Sequence, residues 1–170
     1  MDKPIIIETK KYEDFRGWLS VPLDKEIDFH VVQINQGYSR KKFTLRGLHY
    51  QEGKHSQAKL VSCLHGSIFN VAVDLRPGET YGHAYGKILS FENQRQMYIP
   101  RGFAHGYLTL EDYTLMQWCV DNDFCAEAAR AVRYESDFAW QTDAWPEGEY
   151  IVSEKDTNAE KFPFSIAKGK

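Results

Sequence analysis

The segment AKLVSCLHGSIFNVAVDL, residues 58–75, decides the fold class. It holds two apolar runs, 58–64 and 67–75, which a His-Gly pair separates. The second run alternates in part between apolar and polar residues, which is typical of a half-buried β-strand. We therefore predict two strands that are joined by a hairpin turn at 64–67.

Short apolar runs continue along the chain and alternate with turns that contain Gly and Pro. Only 125–130 has the composition of a helix, and the chain from Trp145 onward mixes Pro, Gly and charged residues. This pattern predicts an all-β sandwich or barrel, organised as one domain over 1–170 with a C-terminal tail that wraps the surface. Further strands are predicted at 29–34, 86–91, 96–100, 106–110 and 113–120.

The composition excludes several classes of protein. The chain has 170 residues, of which 42% are hydrophobic and 14% aromatic, and its formal net charge is −3. Disorder of the whole chain is excluded, and the near-neutral charge argues against binding to nucleic acid or to a membrane surface. No apolar run has the length of a membrane span, and the one at 5–7 is too short for a signal peptide. We therefore expect a cytoplasmic protein whose three cysteines are reduced thiols.

Two basic clusters are candidates for chemistry. Arg46 and His49 lie within 45–51, where His49 is a candidate general base and Arg46 a candidate anion ligand. A surface Arg next to a core His is the alternative interpretation. Lys59 begins a predicted strand. If it faces inward it needs an anion nearby, whereas at the edge of a sheet it is simply solvated.

His105 and Asp156 complete the set of candidates. His105 follows a turn rich in Pro and Gly within 99–107, and Asp156 ends the charged segment 151–156. Asp156 matters only if it packs behind His49 and orients the imidazole, since the segment is otherwise a solvated loop. Two histidines without an H-x-H pair fall short of the usual three or four metal ligands, so we predict no metal site.

Taken in order, these motifs resemble the nucleotide-sugar 3,5-epimerase family, whose type member acts on dTDP-4-dehydro-6-deoxyglucose. The resemblance extends over most of the chain, from about Tyr12 to Asp156. The matching segments are YEDFRG at 12–17, QIN at 33–35, LRGLHYQ at 45–51, QAKLV at 57–61, FNVAVDLR at 69–76, IPRGFAHGY at 99–107 and SEKD at 153–156.

The resemblance implies a double-stranded β-helix, that is, a cupin-like jelly roll, which forms a homodimer and uses neither a metal nor an organic cofactor. It implies that His49 is the catalytic base, that Asp156 supports it, and that Lys59 stabilises the enolate at C4. It also implies a set of substrate ligands. These are Arg46 and the partner subunit's Arg16, which an N-terminal strand arm carries, on the diphosphate, with Gln33, Asn35 and His105 in the same pocket.

One position departs from the family pattern. The family's second acid is a Tyr in a strand that precedes the segment RAVRY, and counting back from 130–134 puts Trp118 at that position. An indole N–H is not a usable acid, so we expect Trp118 to bind substrate in the pocket and another group to deliver the second proton. Tyr98, Tyr107 and Tyr113 are the substitutes in this part of the chain.

Three functional hypotheses follow. The first is an epimerase of a nucleotide-linked 4-keto-6-deoxy sugar that inverts C3, C5 or both. The second is a single-centre epimerase or ketoisomerase on a related nucleotide sugar. The third is a catalytically silent barrel that binds a sugar nucleotide, which His49 and Asp156 argue against because binding alone needs no polarised base.

Overall fold

A computed structural model describes residues 2–23 and 27–162, and strands dominate it. One short helix, α1 (Glu154–Thr157), lies near the end of the described chain. The strands are β1 (Ile5–Glu8), β2 (Lys11–Asp14), β3 (Gly17–Ser20), β4 (Gln33–Ser39), β5 (Thr44–Gln51), β6 (Lys59–His65), β7 (Ser67–Asp74), β8 (His83–Ser90), β9 (Arg95–Ile99), β10 (Phe103–Thr109), β11 (Thr114–Val120), β12 (Ala129–Ala131), β13 (Ala139–Trp140) and β14 (Ile151–Val152).

The strands form two large sheets and a separate hairpin. The smaller sheet has the order β1-β9-β6-β11-β4, and the larger has the order β12-β5-β10-β7-β8-β13, with β14 parallel to β5 at its edge. The hairpin β2-β3 pairs with neither sheet. Two facing sheets whose consecutive strands cross from one to the other make a jelly roll, so the predicted fold class is confirmed.

The predicted hairpin turn at 64–67 is wrong. β6 belongs to the smaller sheet and β7 to the larger, so the chain passes between sheets at Gly66. The predicted helix at 125–130 is also wrong, since a single 3₁₀ turn at Ala126–Ala128 is followed directly by β12. Pairing with β5 satisfies more backbone groups there than an isolated helical turn does. The strand predicted from 29 begins only at Gln33.

The space between the sheets is filled by an apolar cluster from both of them. A fully buried side chain of this size contributes about 2 kcal/mol to stability, so this cluster holds the sheets together. Its members are Val61, Cys63, Ile68, Ala72, Leu89, Met97, Ile99, Phe103, Tyr107 and Met116. A second cluster lies on the outer face of the larger sheet, where Val132, Phe138 and Phe162 cover it.

A bulge in β5 turns two basic side chains to the same face of the sheet. His105 of β10 pairs with His49, and Tyr107 pairs with Arg46, so two steps along β10 correspond to three along β5. In a regular strand a spacing of three puts side chains on opposite faces. The bulge therefore brings Arg46 and His49 together on the interior side.

Gly47 makes this bulge possible. Its φ is +119°, and a Cβ at this position would lie 2.6 Å from the Cα of Gly106 in the neighbouring strand. Any other residue would meet that backbone directly, so only glycine fits. The local geometry of β5 is thus fixed by two glycines that face each other across the ladder.

The C-terminal part of the chain bears on the predicted surface tail and on the predicted single domain. In the described chain, 132–162 wraps the larger sheet, and no described helix has the length and apolar character of a membrane span. Residues 1, 24–26 and 163–170 lie outside the described residues, so the single domain over 1–170 stays a prediction.

Candidate active site

A pocket of about 870 Å³ opens between the two sheets at one end of the interior. The smaller sheet and the larger sheet both supply its walls, and the loop that carries α1 closes one side. Eight of the nine residues proposed from the sequence line it. They are Gln33, Asn35, Arg46, His49, Lys59, His105, Trp118 and Asp156.

His49 and Asp156 form the central pair of the pocket. The His49 Nε2 and an Asp156 carboxylate oxygen lie 2.7 Å apart, and the His49 side chain is 45% exposed whereas that of Asp156 is 5% exposed. An ionised carboxylate only accepts hydrogen bonds, so Nε2 carries the proton. The other ring nitrogen, Nδ1, is left unprotonated in the neutral ring and can take up a proton.

The Asp156 carboxylate is held by more than the imidazole. Its second oxygen accepts the backbone N–H of Gly47 at 3.1 Å, and the Ser153 side chain caps α1 by accepting the Asp156 N–H at 3.2 Å. Burial raises the pKa of Asp156, but the hydrogen bonds from His49 and Gly47 outweigh it, so the net pKa is lowered. The carboxylate is therefore ionised at neutral pH.

Lys59 is a buried amine that forms no ion pair with the described residues. The residue is 7% exposed, and its Nζ donates to the backbone carbonyl of His49 at 3.4 Å. In the described part of the chain no carboxylate forms an ion pair with it. Burial lowers the pKa of Lys59 to about 8, which leaves a mostly charged ammonium at neutral pH that lacks a counter-ion.

His105 is fixed by an amide that the sequence did not suggest. Its Nε2 lies 2.8 Å from the Asn70 Oδ1, while the Asn70 amide N–H donates to the Met97 sulfur. An amide oxygen only accepts, so the His105 Nε2 is the donor and its Nδ1 is left as an acceptor. Burial lowers the pKa of His105 well below its usual range, and Lys59 and His49 lower it further, so this imidazole is neutral.

The smaller sheet supplies the opposite wall. Gln33 and Asn35 alternate with exposed residues along β4, so both side chains face the pocket, where the Gln33 amide donates to the Asn35 side-chain oxygen. Trp118 is directly across from Asn35 on β11, and its half-buried ring packs against the interior cluster. This wall therefore combines amides with one large aromatic surface.

The rim of the pocket is basic. Arg46 is held by the Tyr38 carbonyl at 3.2 Å and the Ser39 hydroxyl at 3.4 Å, which leaves guanidinium N–H groups free for an anion. Arg130 and Lys155 also line the rim, although Arg130 forms an ion pair with Glu52. This distribution suits a ligand that carries negative charge at one end.

Arg16 is the one proposed residue that this pocket does not include. It lies at the turn of the β2-β3 hairpin, where its side chain is 76% exposed and pairs with Asp14 at 2.6 Å. The neighbouring Phe15 is 99% exposed. The hairpin contacts the rest of the chain at the turn after β8, where Trp18 packs against Phe91, and its tip with Phe15 and Arg16 is left exposed.

Sequence reasoning missed Asn70 and the Gly47 amide. Asn70 interrupts the apolar run of β7. A single amide in a buried strand has to find a hydrogen-bond partner, so its presence could have indicated a polar contact in the interior. The role of the Gly47 N–H depends on the bulge, for which the sequence offered no sign beyond the glycine itself. Within the described residues no group of three or more His, Cys, Asp or Glu side chains is arranged to hold a metal ion.

Comparison with known proteins gives consistent results. Residues 1–163 match the profile of a family described as dTDP-4-dehydrorhamnose 3,5-epimerase. The dTDP-4-dehydrorhamnose 3,5-epimerase of Methanothermobacter thermautotrophicus is 40% identical over an alignment of 172 positions. The alignment covers 93% of this chain and 89% of that protein.

Two solved structures are also similar. That of dTDP-4-dehydrorhamnose 3,5-epimerase from Elizabethkingia anophelis has a TM-score of 0.85 at 41% identity, covering 96% of this chain and 93% of that one. The dTDP-6-deoxy-D-glucose-3,5-epimerase of Legionella pneumophila, solved with dTDP-4-keto-L-rhamnose, has a TM-score of 0.85 at 37% identity, covering 95% and 88%. The resemblance drawn from the sequence motifs is confirmed, and the chain belongs to the dTDP-4-dehydrorhamnose 3,5-epimerase family.

Proposed function

We propose that this protein is an isomerase that epimerises a dTDP-linked 4-keto-6-deoxy sugar by removing a proton next to the C4 ketone. The observation that carries the proposal is the His49–Asp156 pair beside the buried, unpaired Lys59. A C–H bond next to a ketone is weakly acidic, so breaking it requires a positioned base and a group that holds the developing oxyanion. The pocket contains one of each.

His49 is the proposed base. With Nε2–H directed at Asp156, the ring accepts the substrate proton on Nδ1 and becomes an imidazolium. The ionised carboxylate of Asp156 then stabilises that positive charge and keeps the ring in the required tautomer. Asp156 thus acts through His49 and is a positioning residue.

Lys59 is the proposed electrophile. Its ammonium is fixed by burial and has no counter-ion in the described residues, so the oxyanion that forms at C4 supplies the missing negative charge. A preorganised charge in a dry site stabilises a developing anion far more than it does in water. The neutral His105 and the amides of Gln33 and Asn35 are proposed ligands of the sugar hydroxyls.

The nucleotide diphosphate is proposed to bind at the basic rim. Arg46 presents a planar fork that matches phosphate oxygens, and the partner subunit's Arg16 is proposed to add a second contact in a homodimer. The exposed Phe15 at the tip of the β2-β3 hairpin, which pairs with neither sheet, supports this arrangement. Activity without a metal or an organic cofactor and a cytoplasmic location stay predictions.

A single-centre epimerase is the second candidate. Inversion at both C3 and C5 needs a proton donor on the face opposite His49, and Trp118 stands where the family has its Tyr acid. Inversion at the two carbons is therefore expected to be unequal. The silent-barrel hypothesis is disfavoured, because binding alone requires neither an ionised Asp156 behind His49 nor an unpaired buried ammonium.

The substitution His49→Asn is expected to lower turnover by about 10²–10⁴-fold, because it removes the general base. The assay follows deuterium incorporation into dTDP-4-dehydro-6-deoxyglucose by NMR in heavy water that contains EDTA. Binding of dTDP, measured by calorimetry, should change little. His65→Asn is the matched control, since His65 is exposed at the end of β6 and outside the pocket. A His49→Asn rate above about a tenth of the wild-type rate contradicts the role of base.

The pH profile tests Lys59. Because the pKa of Lys59 is about 8 in the folded protein, its stabilising charge is present below that pH and is lost above it. The value of kcat/KM, which reports the free enzyme, is expected to fall as the pH rises through this range. Lys59→Arg keeps the charge and should remove the falling limb, while Lys59→Gln should lower the rate most below pH 8, where the wild-type amine is charged. A wild-type profile that stays flat well above pH 8 would reject the assignment.

Subunit complementation tests the shared site. Arg16→Ala and His49→Asn are each expected to reduce activity strongly, yet a mixed dimer of the two variants contains one site with an intact His49 and an intact Arg16 from the partner. Co-expression with two different affinity tags allows the mixed dimer to be purified. It should recover close to half of the wild-type activity per dimer, since one site of the two is intact. If the mixed dimer is no more active than its parents, Arg16 does not reach the partner's pocket.

A further inference from the structure

Tyr107 carries a buried hydroxyl that has no hydrogen-bond partner. The residue is 4% exposed, and among the described residues its phenol oxygen is one of few buried polar atoms left unpaired. Its ring packs in the interior cluster, and the residue also lines the pocket. Leaving such a group unpaired costs stability, so its presence calls for a functional explanation.

The hydroxyl lies beside the residue that breaks the family pattern. A Cβ placed on Gly37 would be 2.7 Å from the Tyr107 oxygen and 3.4 Å from Cζ3 of Trp118. The Tyr107 phenol from β10 of the larger sheet and the Trp118 indole from β11 of the smaller sheet therefore both lie close to Gly37. Glycine at position 37 leaves the space that the phenol oxygen occupies, since any side chain there would collide with it.

The other tyrosines are less suitable donors. Tyr98 and Tyr113 do not line the pocket, and Tyr113 is exposed in the turn before β11. Tyr38 is exposed on the outward face of β4. Tyr50 follows His49 in β5, so its side chain points to the other face, where it packs against the outer cluster. Tyr107 is thus the pocket tyrosine whose hydroxyl is free and faces the interior.

We infer that Tyr107 delivers the second proton of the epimerisation, in place of the phenol that Trp118 lacks. The inference rests on the proposed function. His49 takes the proton from the carbon next to C4 and leaves an enolate, and the Tyr107 O–H then gives its proton to the opposite face of that carbon. A new C–H bond forms, Tyr107 becomes a phenolate, and proton exchange with solvent returns both residues to their starting states.

The protonation state of Tyr107 is consistent with this role. Burial raises the pKa of Tyr107, while the charge of Arg46 and the nearby Ser39 hydroxyl offset part of the rise. The phenol is therefore protonated at neutral pH. Arg46 also lies across the ladder from Tyr107, where it stabilises the phenolate that is formed for the duration of the step.

The test separates proton abstraction from inversion. Tyr107→Phe removes only the oxygen, and because that oxygen has no partner, the melting temperature should not fall. Deuterium exchange that depends on His49 should continue in heavy water, since the protonated His49 can exchange its proton with the solvent and return a deuteron to the same face of the carbon. Inversion at the carbon served by Tyr107 should fall by about 10²–10⁴-fold relative to exchange. A merely structural role leaves this ratio unchanged.

Two further variants sharpen the result. Tyr98→Phe is the matched control and should keep the wild-type ratio of inversion to exchange, because Tyr98 lies outside the pocket. The double variant Tyr107→Phe/Trp118→Tyr puts a phenol on the opposite wall and should recover inversion. Unchanged inversion in Tyr107→Phe overturns the inference, as does loss of exchange together with inversion. Absence of exchange in the wild-type protein rejects the proposed function itself, and the inference with it.

Discussion

The Asp156 carboxylate joins the two parts of the molecule that the proposed chemistry needs. One oxygen accepts from the imidazole of His49, and the other accepts from the backbone of Gly47, two residues earlier in the same strand. These contacts anchor the C-terminal segment that carries α1 to the bulge in β5. They also fix which nitrogen of His49 is free. The Asp156 side chain thus sets both the tautomer of the base and its position relative to β5.

The interior between the sheets has two halves with different tasks. One half is a close-packed apolar cluster that supplies most of the stability. The other half is left open and is lined by polar groups whose environment is partly dry. Burial lowers the pKa of Lys59 to about 8, so that at neutral pH it is a mostly charged ammonium without a counter-ion in the described residues, and burial also keeps His105 neutral. Inside the basic rim, Lys59 and His105 thereby offer one positive charge and one hydrogen-bond acceptor at fixed positions, which suits a sugar next to a forming enolate.

Much of this could be predicted from the sequence, and the failures have physical causes. The alternation in 58–75 identified two strands correctly, but periodicity does not say which sheet a strand joins, so the turn at 64–67 was misassigned. Arg46 and His49 are three positions apart, a spacing that puts side chains on opposite faces of a regular strand, and only the bulge brings them to one face. Asp156 was recognised through the motif alone, because nothing in a charged segment indicates burial behind a distant histidine. Arg16 depends on a second subunit, which no property of one chain reveals.

The tautomer of His49 directly tests whether Asp156 leaves Nδ1 of this ring free to act as the base. Long-range ¹H–¹⁵N correlation spectra of the labelled protein in mildly alkaline buffer report which ring nitrogen of each of the six histidines carries the proton, and the His49→Asn variant identifies the signal of His49. We expect a protonated Nε2 and a free Nδ1, with this preference lost in Asp156→Asn. A His49 ring that is protonated on Nδ1 in the wild-type protein would contradict it, since that nitrogen could then not act as the base.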